Sequence, residues 1–207
     1  MTDMDKICYI VGAGELTESF KPSARDLVIA ADGGYDHIVK MGITPDVLIG
    51  DMDSLSLAPS DVEVIKVPVE KDETDMLLAY RLGCERGYRE FVIYGGTGGR
   101  TDHTLANYAL LLHARKEGNR AYLVGSGARA HVIINESVDI FGTNGGGVSA
   151  FAQFGNAYGV SVEGLKYEAR DITLTPEFPL CVSNSHTENG KGTVSVRDGA
   201  LLIIEEL

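Results

Sequence analysis

The sequence predicts an α/β fold in two parts. An N-terminal, mostly parallel sheet with helices on both faces is followed by a C-terminal all-β sandwich. Three observations carry this. Over roughly the first 125 residues, apolar runs alternate with helical patterns, and the runs are continuously apolar, as strands buried on both faces must be. After Gly125 helical periodicity disappears, and eight short strand candidates separated by turns take over. The length, 207 residues, suits one large or two small domains, and 44% hydrophobic with 23% charged residues is ordinary for a globular protein. The expected domains are residues 1–127 and 128–207.

The elements follow in order. Ile7 to Val11 reads as a strand ending at Gly12-Ala13-Gly14, and Asp26 to Ala31 as a second ending at Asp32-Gly33-Gly34. A helix follows with Tyr35, Ile38 and Val39 on one face and Gly42 as its stop. Asp46–Ile49 and Val62–Val67 read as strands. Lys71-Asp72-Glu73-Thr74-Asp75 opens a helix that runs through Met76, Ala79, Tyr80 and Gly83 and stops near Gly87. The strand Phe91–Tyr94 breaks at Gly95-Gly96-Thr97-Gly98-Gly99, and Asp102 or Thr104 then caps a helix ending at Gly118. Ala121–Val124 closes the first part. Downstream, Val148, Ala150, Ala152 and Phe154 alternate with more polar residues, as in a half-buried strand. Asp198-Gly199, between Thr193–Val196 and Leu201–Ile204, carries a hairpin signal.

The chemistry gathers at the strand ends, where open α/β sheets bind ligands. In Gly50-Asp51-Met52-Asp53-Ser54, an extended backbone would point Asp51 and Asp53 the same way. Two converging carboxylates need a positive partner, and a divalent cation with substrate phosphates supplies one. The alternative is a turn capped by Asp51 with Asp53 in water. The glycines of Gly95–Gly99 let backbone N–H groups approach an anion at a helix start, and Arg100 adds a forked donor. Each residue also has a plain structural reading. Gly12-Ala13-Gly14 lacks the third glycine of a dinucleotide fingerprint and reads as a tight turn. Asp75 suits a first helical turn, Asp102 a cap, His103 a helix end, Asn107 a surface amide and Lys71 a solvated charge. The functional reading rests on their sharing one sheet edge.

The net charge of −12 argues against a protein that lives on nucleic acid or anionic lipid, which are bound by clustered Lys and Arg. The three cysteines, Cys8, Cys84 and Cys181, are odd in number and far apart, which argues for reduced thiols. With no signal-like segment and no membrane-length apolar run, the expected location is the cytoplasm.

An ordered set of motifs resembles the thiamine pyrophosphokinase (thiamine diphosphokinase) family across nearly the whole chain. In the first part these are Ala31-Asp32-Gly33-Gly34, Pro45-Asp46, Gly50-Asp51-Met52-Asp53-Ser54, Lys71-Asp72-Glu73-Thr74-Asp75, and Gly98-Gly99-Arg100-Thr101-Asp102-His103 with Ala106-Asn107. Gly164-Leu165-Lys166-Tyr167 and Val182-Ser183-Asn184 follow in the second. The resemblance implies transfer of a diphosphoryl group from ATP to thiamine with Mg²⁺, giving AMP and thiamine diphosphate. It also implies a homodimer with thiamine between the first domain of one subunit and the second domain of the other. By position, Asp51, Asp53 and Asp75 would hold Mg²⁺ and, with Arg100, act in catalysis. Asp32, Gly33, Gly34, Lys71, Thr74, Gly98, Gly99, Arg100, Asp102, His103 and Asn107 would contact ATP. Asp75, Ser183, Asn184 and Ser185 would contact thiamine. Ser185-His186 stands where many bacterial members carry an acidic and then an aromatic residue, and the chain has no tryptophan to stack on the thiamine ring.

Two other classes compete. Asp-x-Asp at a strand end also suits a Mg²⁺-dependent phosphohydrolase with a phosphoaspartate, although that chemistry prefers the first strand and here the motif follows about the third. A sensor that binds nucleotide and vitamin without turnover would carry the same scaffold.

Overall fold

The computed structural model describes residues 6–51, 61–68 and 72–207. It has a mixed sheet with helices and a second, antiparallel sheet. The chain divides into two compact units, Met1–Leu110 with Gly118–Ser126, and Leu111–Glu117 with Gly127–Leu207.

In the first unit, six strands run parallel in the order β6-β5-β1-β2-β3-β4. They are β1 (Ile7–Val11), β2 (Leu27–Ala31), β3 (Val47–Gly50), β4 (Glu63–Lys66), β5 (Glu90–Tyr94) and β6 (Arg120–Gly125). The helices are α1 (Gly34–Lys40), α2 (Asp75–Glu85) and α3 (Thr101–Lys116). Side-chain alternation along β1 assigns the layers. Tyr9 and Val11 share a cluster with Ile38 and Tyr35 of α1 and with Val28, Ala30, Leu48 and Tyr94. Cys8 faces the other way, where Gly83 of α2 packs so closely that a Cβ there would lie 2.9 Å from Cys8 Sγ and 2.6 Å from the Phe91 ring. Tyr80 of α2 meets the same Phe91 at 4.7 Å between ring centroids. So α1 and α2 cover opposite faces. Part of the α1 face is closed without a helix: Phe20 stacks between Tyr9 and Tyr94, with centroids 4.6 and 4.8 Å apart.

In the second unit, β7 (Ala128–Ile134), β9 (Gly147–Phe151), β12 (Cys181–Ser185) and β14 (Ala200–Glu206) run antiparallel in the order β12-β9-β14-β7. β8 (Ser137–Phe141), β10 (Ala157–Glu163), β11 (Ala169–Leu174) and β13 (Lys191–Ser195) form the other sheet, order β11-β10-β13-β8. Ile133, Val148, Ala150, Leu201 and Ile203 from the first set share one apolar cluster with Ile140, Val160, Val162, Leu174 and Val194 from the second.

That cluster overturns the hairpin expected at Asp198-Gly199. Gly199 does take a positive φ of 114°. Yet β13 pairs with β10 and β8, whereas β14 pairs with β7 and β9. The turn carries the chain from one sheet to the other. A Cβ on Gly199 would sit 2.7 Å from Asn156 O, so the crossing is tight. β7 takes in Arg129 near its start, and the charge of Arg129 is met across the ladder by Glu205, 3.0 Å away. The helix expected from Lys71 begins at Asp75.

Candidate active site

From β1 the strand order runs one way through β2, β3 and β4, and the other way through β5 and β6. The topological switch therefore falls between β1 and β5, where diverging connections open a crevice beyond the strand ends. A cavity of about 630 Å³ lies there, lined by Gly12–Gly14 after β1, Ala31 and Asp32 at the end of β2, and the loop after β5. The residues around the starts of α2 and α3 complete the wall.

The β1 and β5 loops are bound to each other by backbone. Gly12 N donates to Tyr94 O at 2.9 Å, Gly14 N to Gly95 O at 2.8 Å and Glu15 N to Thr97 O at 2.9 Å. Only glycine permits this: a Cβ on Gly12 would stand 2.7 Å from Gly95 O, and one on Gly14 would strike Thr97 O. Gly12-Ala13-Gly14 is thus a site of close backbone approach as well as a turn.

Asp32 lines the cavity in a left-handed conformation, φ 49°. Aspartate tolerates this better than most residues, and such strain persists only where neighbours hold it. Here Asp32 N donates to Ile49 O at 2.8 Å. Gly50 makes the room, because a Cβ on it would be 3.1 Å from Asp32 Cα. Gly33 and Gly34 lie outside the cavity wall. Gly34 is glycine because the start of α1 is pressed onto β1, where a Cβ would overlap the Val11 carbonyl.

Gly98 and Gly99 line the cavity with φ of 68° and 85°, ahead of α3. Arg100 and His103 line it too. α3 begins at Thr101, so the cap position falls earlier than Asp102 or Thr104. Asp102 instead grips Arg100, accepting from its Nε at 3.1 Å and from a terminal nitrogen at 2.6 Å. With side chains 72% and 64% exposed, the pair adds little stability, but it aims the guanidinium. The Arg100 contact, helped by the backbone N–H of His103, holds the Asp102 carboxyl down at about 2. Asp102 itself lies outside the cavity wall. Asn107 is no surface amide. It is 6% exposed, and its Nδ2 donates to Gly96 O at 2.7 Å, which fixes the β5 loop.

Thr74 caps α2, its hydroxyl oxygen accepting from Leu77 N at 3.2 Å, and Thr74 and Asp75 line the cavity with Asp72 and Glu73. Asp51 follows β3 directly, half-buried and outside the cavity wall. Asp53 and Lys71 lie outside the described residues. Among the described residues no three His, Cys, Asp or Glu side chains gather as a metal cage. Glu73 is paired with Arg81, but the carboxylates of Asp32, Asp72 and Asp75 around one cavity suit a hard cation that takes one or two carboxylates and completes its shell from water and phosphate.

In the second unit, Asn184 is buried and committed internally. Its Oδ1 accepts from Tyr167 N at 3.0 Å and its Nδ2 donates to Tyr167 O at 2.7 Å. Lys166 N adds a bond to Ser185 O at 2.9 Å, so the two motifs of this unit are pinned together. Ser183 sits in a register shift of β12 with φ 58°, its N–H donating to Ser149 Oγ at 3.1 Å.

Sequence reasoning did not assign to the site Gly12–Gly14, Ala31, Asp72, Glu73, Met76 or Thr104, all of which line the cavity. Most adjoin a quoted motif at a strand end, and that adjacency was the available signal.

A six-stranded parallel unit with a glycine-lined, carboxylate-rimmed cavity at its switch point defines an α/β protein of the class that places its ligand site beyond the strand ends. Comparison with known proteins narrows this. The family model described as thiamin pyrophosphokinase, catalytic domain, matches residues 22–123. The thiamine pyrophosphokinase of Bacillus subtilis (strain 168) is 28% identical over 185 residues, 86% of each chain. The crystal structure of thiamine pyrophosphokinase from Bacillus subtilis superposes with a TM-score of 0.85 at 26% identity, covering 97% of this chain and 98% of that one. The one from Geobacillus thermodenitrificans gives 0.85 and 26%, covering 97% of each. The family model, the curated relative and the solved structures thus agree in making this chain similar to thiamine pyrophosphokinases.

Proposed function

We propose that the cavity of the first unit binds ATP and that the protein transfers its diphosphoryl group to thiamine. The observation that carries this is the position of the cavity: the loops of Gly12–Gly14 and Gly95–Gly99, the start of α3 and four carboxylates meet at the sheet's switch point. In the reaction, thiamine's primary hydroxyl oxygen bonds to the β-phosphorus. The bond from that phosphorus to the oxygen bridging to the α-phosphate breaks, and AMP leaves with the electron pair. Asp75, on the cavity wall, accepts the hydroxyl proton. Arg100, aimed by Asp102, binds phosphate oxygens and balances charge that builds on the β-phosphate. Little covalent work is left to the protein beyond bringing the hydroxyl into line.

Mg²⁺ is the divalent cation this reading requires, with Asp51, Asp53 and Asp75 as its protein ligands. When bound, it neutralises charge on the phosphates. Asp32, the backbone of Gly98 and Gly99, His103, Thr74 and Lys71 hold the nucleotide. Gly33, Gly34 and Asn107 act by shaping the fold around it. Thiamine takes Ser183 and Ser185, with Asn184 pinning the Tyr167 segment. Support for the rest of the reading comes from the family. It comprises a parallel sheet covered on both faces in residues 1–127, a β-sandwich in 128–207, a homodimer with the active site at its interface, and a cytoplasmic location. No described helix is long and apolar enough to cross a membrane, and Cys8, Cys84 and Cys181 form no disulfide among the described residues. Sedimentation of the purified chain with and without ATP and thiamine tests the dimer; a monomer under both conditions rejects it.

A further inference from the structure

We infer that His37 is a positioning residue for the nucleotide site, acting through the carbonyl of Gly14; this rests on the reading of the cavity as that site. His37 is half-buried on α1, and its Nε2 lies 2.8 Å from Gly14 O. A carbonyl only accepts, so Nε2 carries the proton and donates. Gly14 lines the cavity. Its own N–H is taken by Gly95 O at 2.8 Å, and the next N–H, of Glu15, by Thr97 O at 2.9 Å. Those bonds hold the inner edge of the loop to the β5 loop. The bond from His37 holds its outer edge to α1. α1 is in turn pressed onto the end of β1 through Gly34, so the histidine donates from a fixed base. Ala13, next to Gly14, lies against Gly33 at the start of the same helix: a Cβ on Gly33 would be 3.0 Å from Ala13 Cβ. The loop is therefore clamped between α1 and the β5 loop, and His37 is the side chain that closes the clamp.

A floor held in this way is ready for the nucleotide before it arrives. Without the donor, the loop must be reordered at each binding event, so the loss falls on nucleotide affinity. His37→Phe fills the same space without donating to Gly14 O. It is expected to raise the KM for ATP about tenfold, the scale of one hydrogen bond, with kcat within about threefold and the KM for thiamine unchanged. Amide exchange at Gly14 and Glu15 should quicken by a similar factor, with no ligand present. His37→Gln, which keeps an N–H donor, should recover most of both effects, whereas His37→Glu, of the same shape and without that donor when ionised, should not. If His37→Phe does not fold, the Gln and Glu variants carry the comparison. Wild-type KM for ATP in a folded His37→Phe or His37→Glu protein overturns the inference, as does recovery by Glu equal to that by Gln. Should the wild type bind no ATP, the reading of the cavity fails, and exchange at Gly14 and Glu15 still decides the clamp. Equal exchange in wild type and His37→Phe refutes it.

Discussion

Asn107→Ala tests how the site is built. The amide is buried, and its Nδ2 gives Gly96 O a bond of 2.7 Å. Removing it leaves that carbonyl without its donor, which costs about 1–3 kcal/mol when the acceptor stays dry. Alanine vacates space beside this cavity-lining residue that a water can enter to reach the carbonyl, so the lower half of the range, about 1–2 kcal/mol, applies. For a chain of this length that is a fall in Tm of roughly 2–8 °C. The loop carrying Gly98 and Gly99 loses its anchor in the free protein, and nucleotide binding must restore it. The KM for ATP should rise about 5- to 30-fold, while the KM for thiamine stays within about twofold. Asn107→Asp sharpens the test, because a carboxylate would face the carbonyl with no proton to give, and it should be worse than alanine. Initial rates with ATP and thiamine varied separately, beside thermal unfolding, provide the numbers. A lower Tm with an unchanged KM for ATP would make Asn107 a packing residue only. An aspartate variant equal to wild type would refute the hydrogen-bond argument altogether.

Other outcomes follow from the same structure. Asp51→Asn and Asp53→Asn should each lower turnover by about 10²-fold or more, the scale of a lost transition-state contact, and near-normal rates in both would reject the metal role. Gly34→Ala should cost about 3 kcal/mol or more, since a Cβ meets the Val11 backbone, whereas Gly33→Ala, with φ −59° and only the Ala13 methyl nearby, should cost under about 1 kcal/mol; urea midpoints separate the two. His131 supplies a pH test. Burial first and Arg129 second pull it down to about 4, against Glu136, and a Glu205 carboxylate lies 3.5 Å from its Nδ1. The unfolded chain therefore takes up this proton before the folded one does. The stability involved is complete above pH about 6.5 and is lost as pH falls toward about 4, roughly 3 kcal/mol in all. Chemical denaturation between pH 7 and 4 should show this slope, and His131→Gln should flatten it.

The sequence shows some of this fold openly. β1, β2 and β5 are short apolar runs bounded by glycine or aspartate, and burial on both faces leaves little else they can be. The start of β7 is hidden because Arg129 and His131 are polar, and pairing with β14 sets Arg129 beside Glu205 while His131 is buried. Asp198-Gly199 misleads because turn chemistry is local. Which sheet receives the next strand is decided by Leu201 and Ile203 joining the same core as Val194. In the site, Asp32, Thr74, Asp75 and Arg100 stand out by type and place. Asn107 and His37 do not, because their work is to hold backbone carbonyls of Gly96 and Gly14, which are brought near them only by the fold.

One incubation decides whether the protein is a diphosphotransferase: purified protein with ATP, Mg²⁺ and thiamine, followed by quantification of every phosphorylated product. AMP and thiamine diphosphate appearing in equal amounts, and only when thiamine is present, is the expected result. ATP left intact, or inorganic phosphate released without thiamine diphosphate, would contradict it.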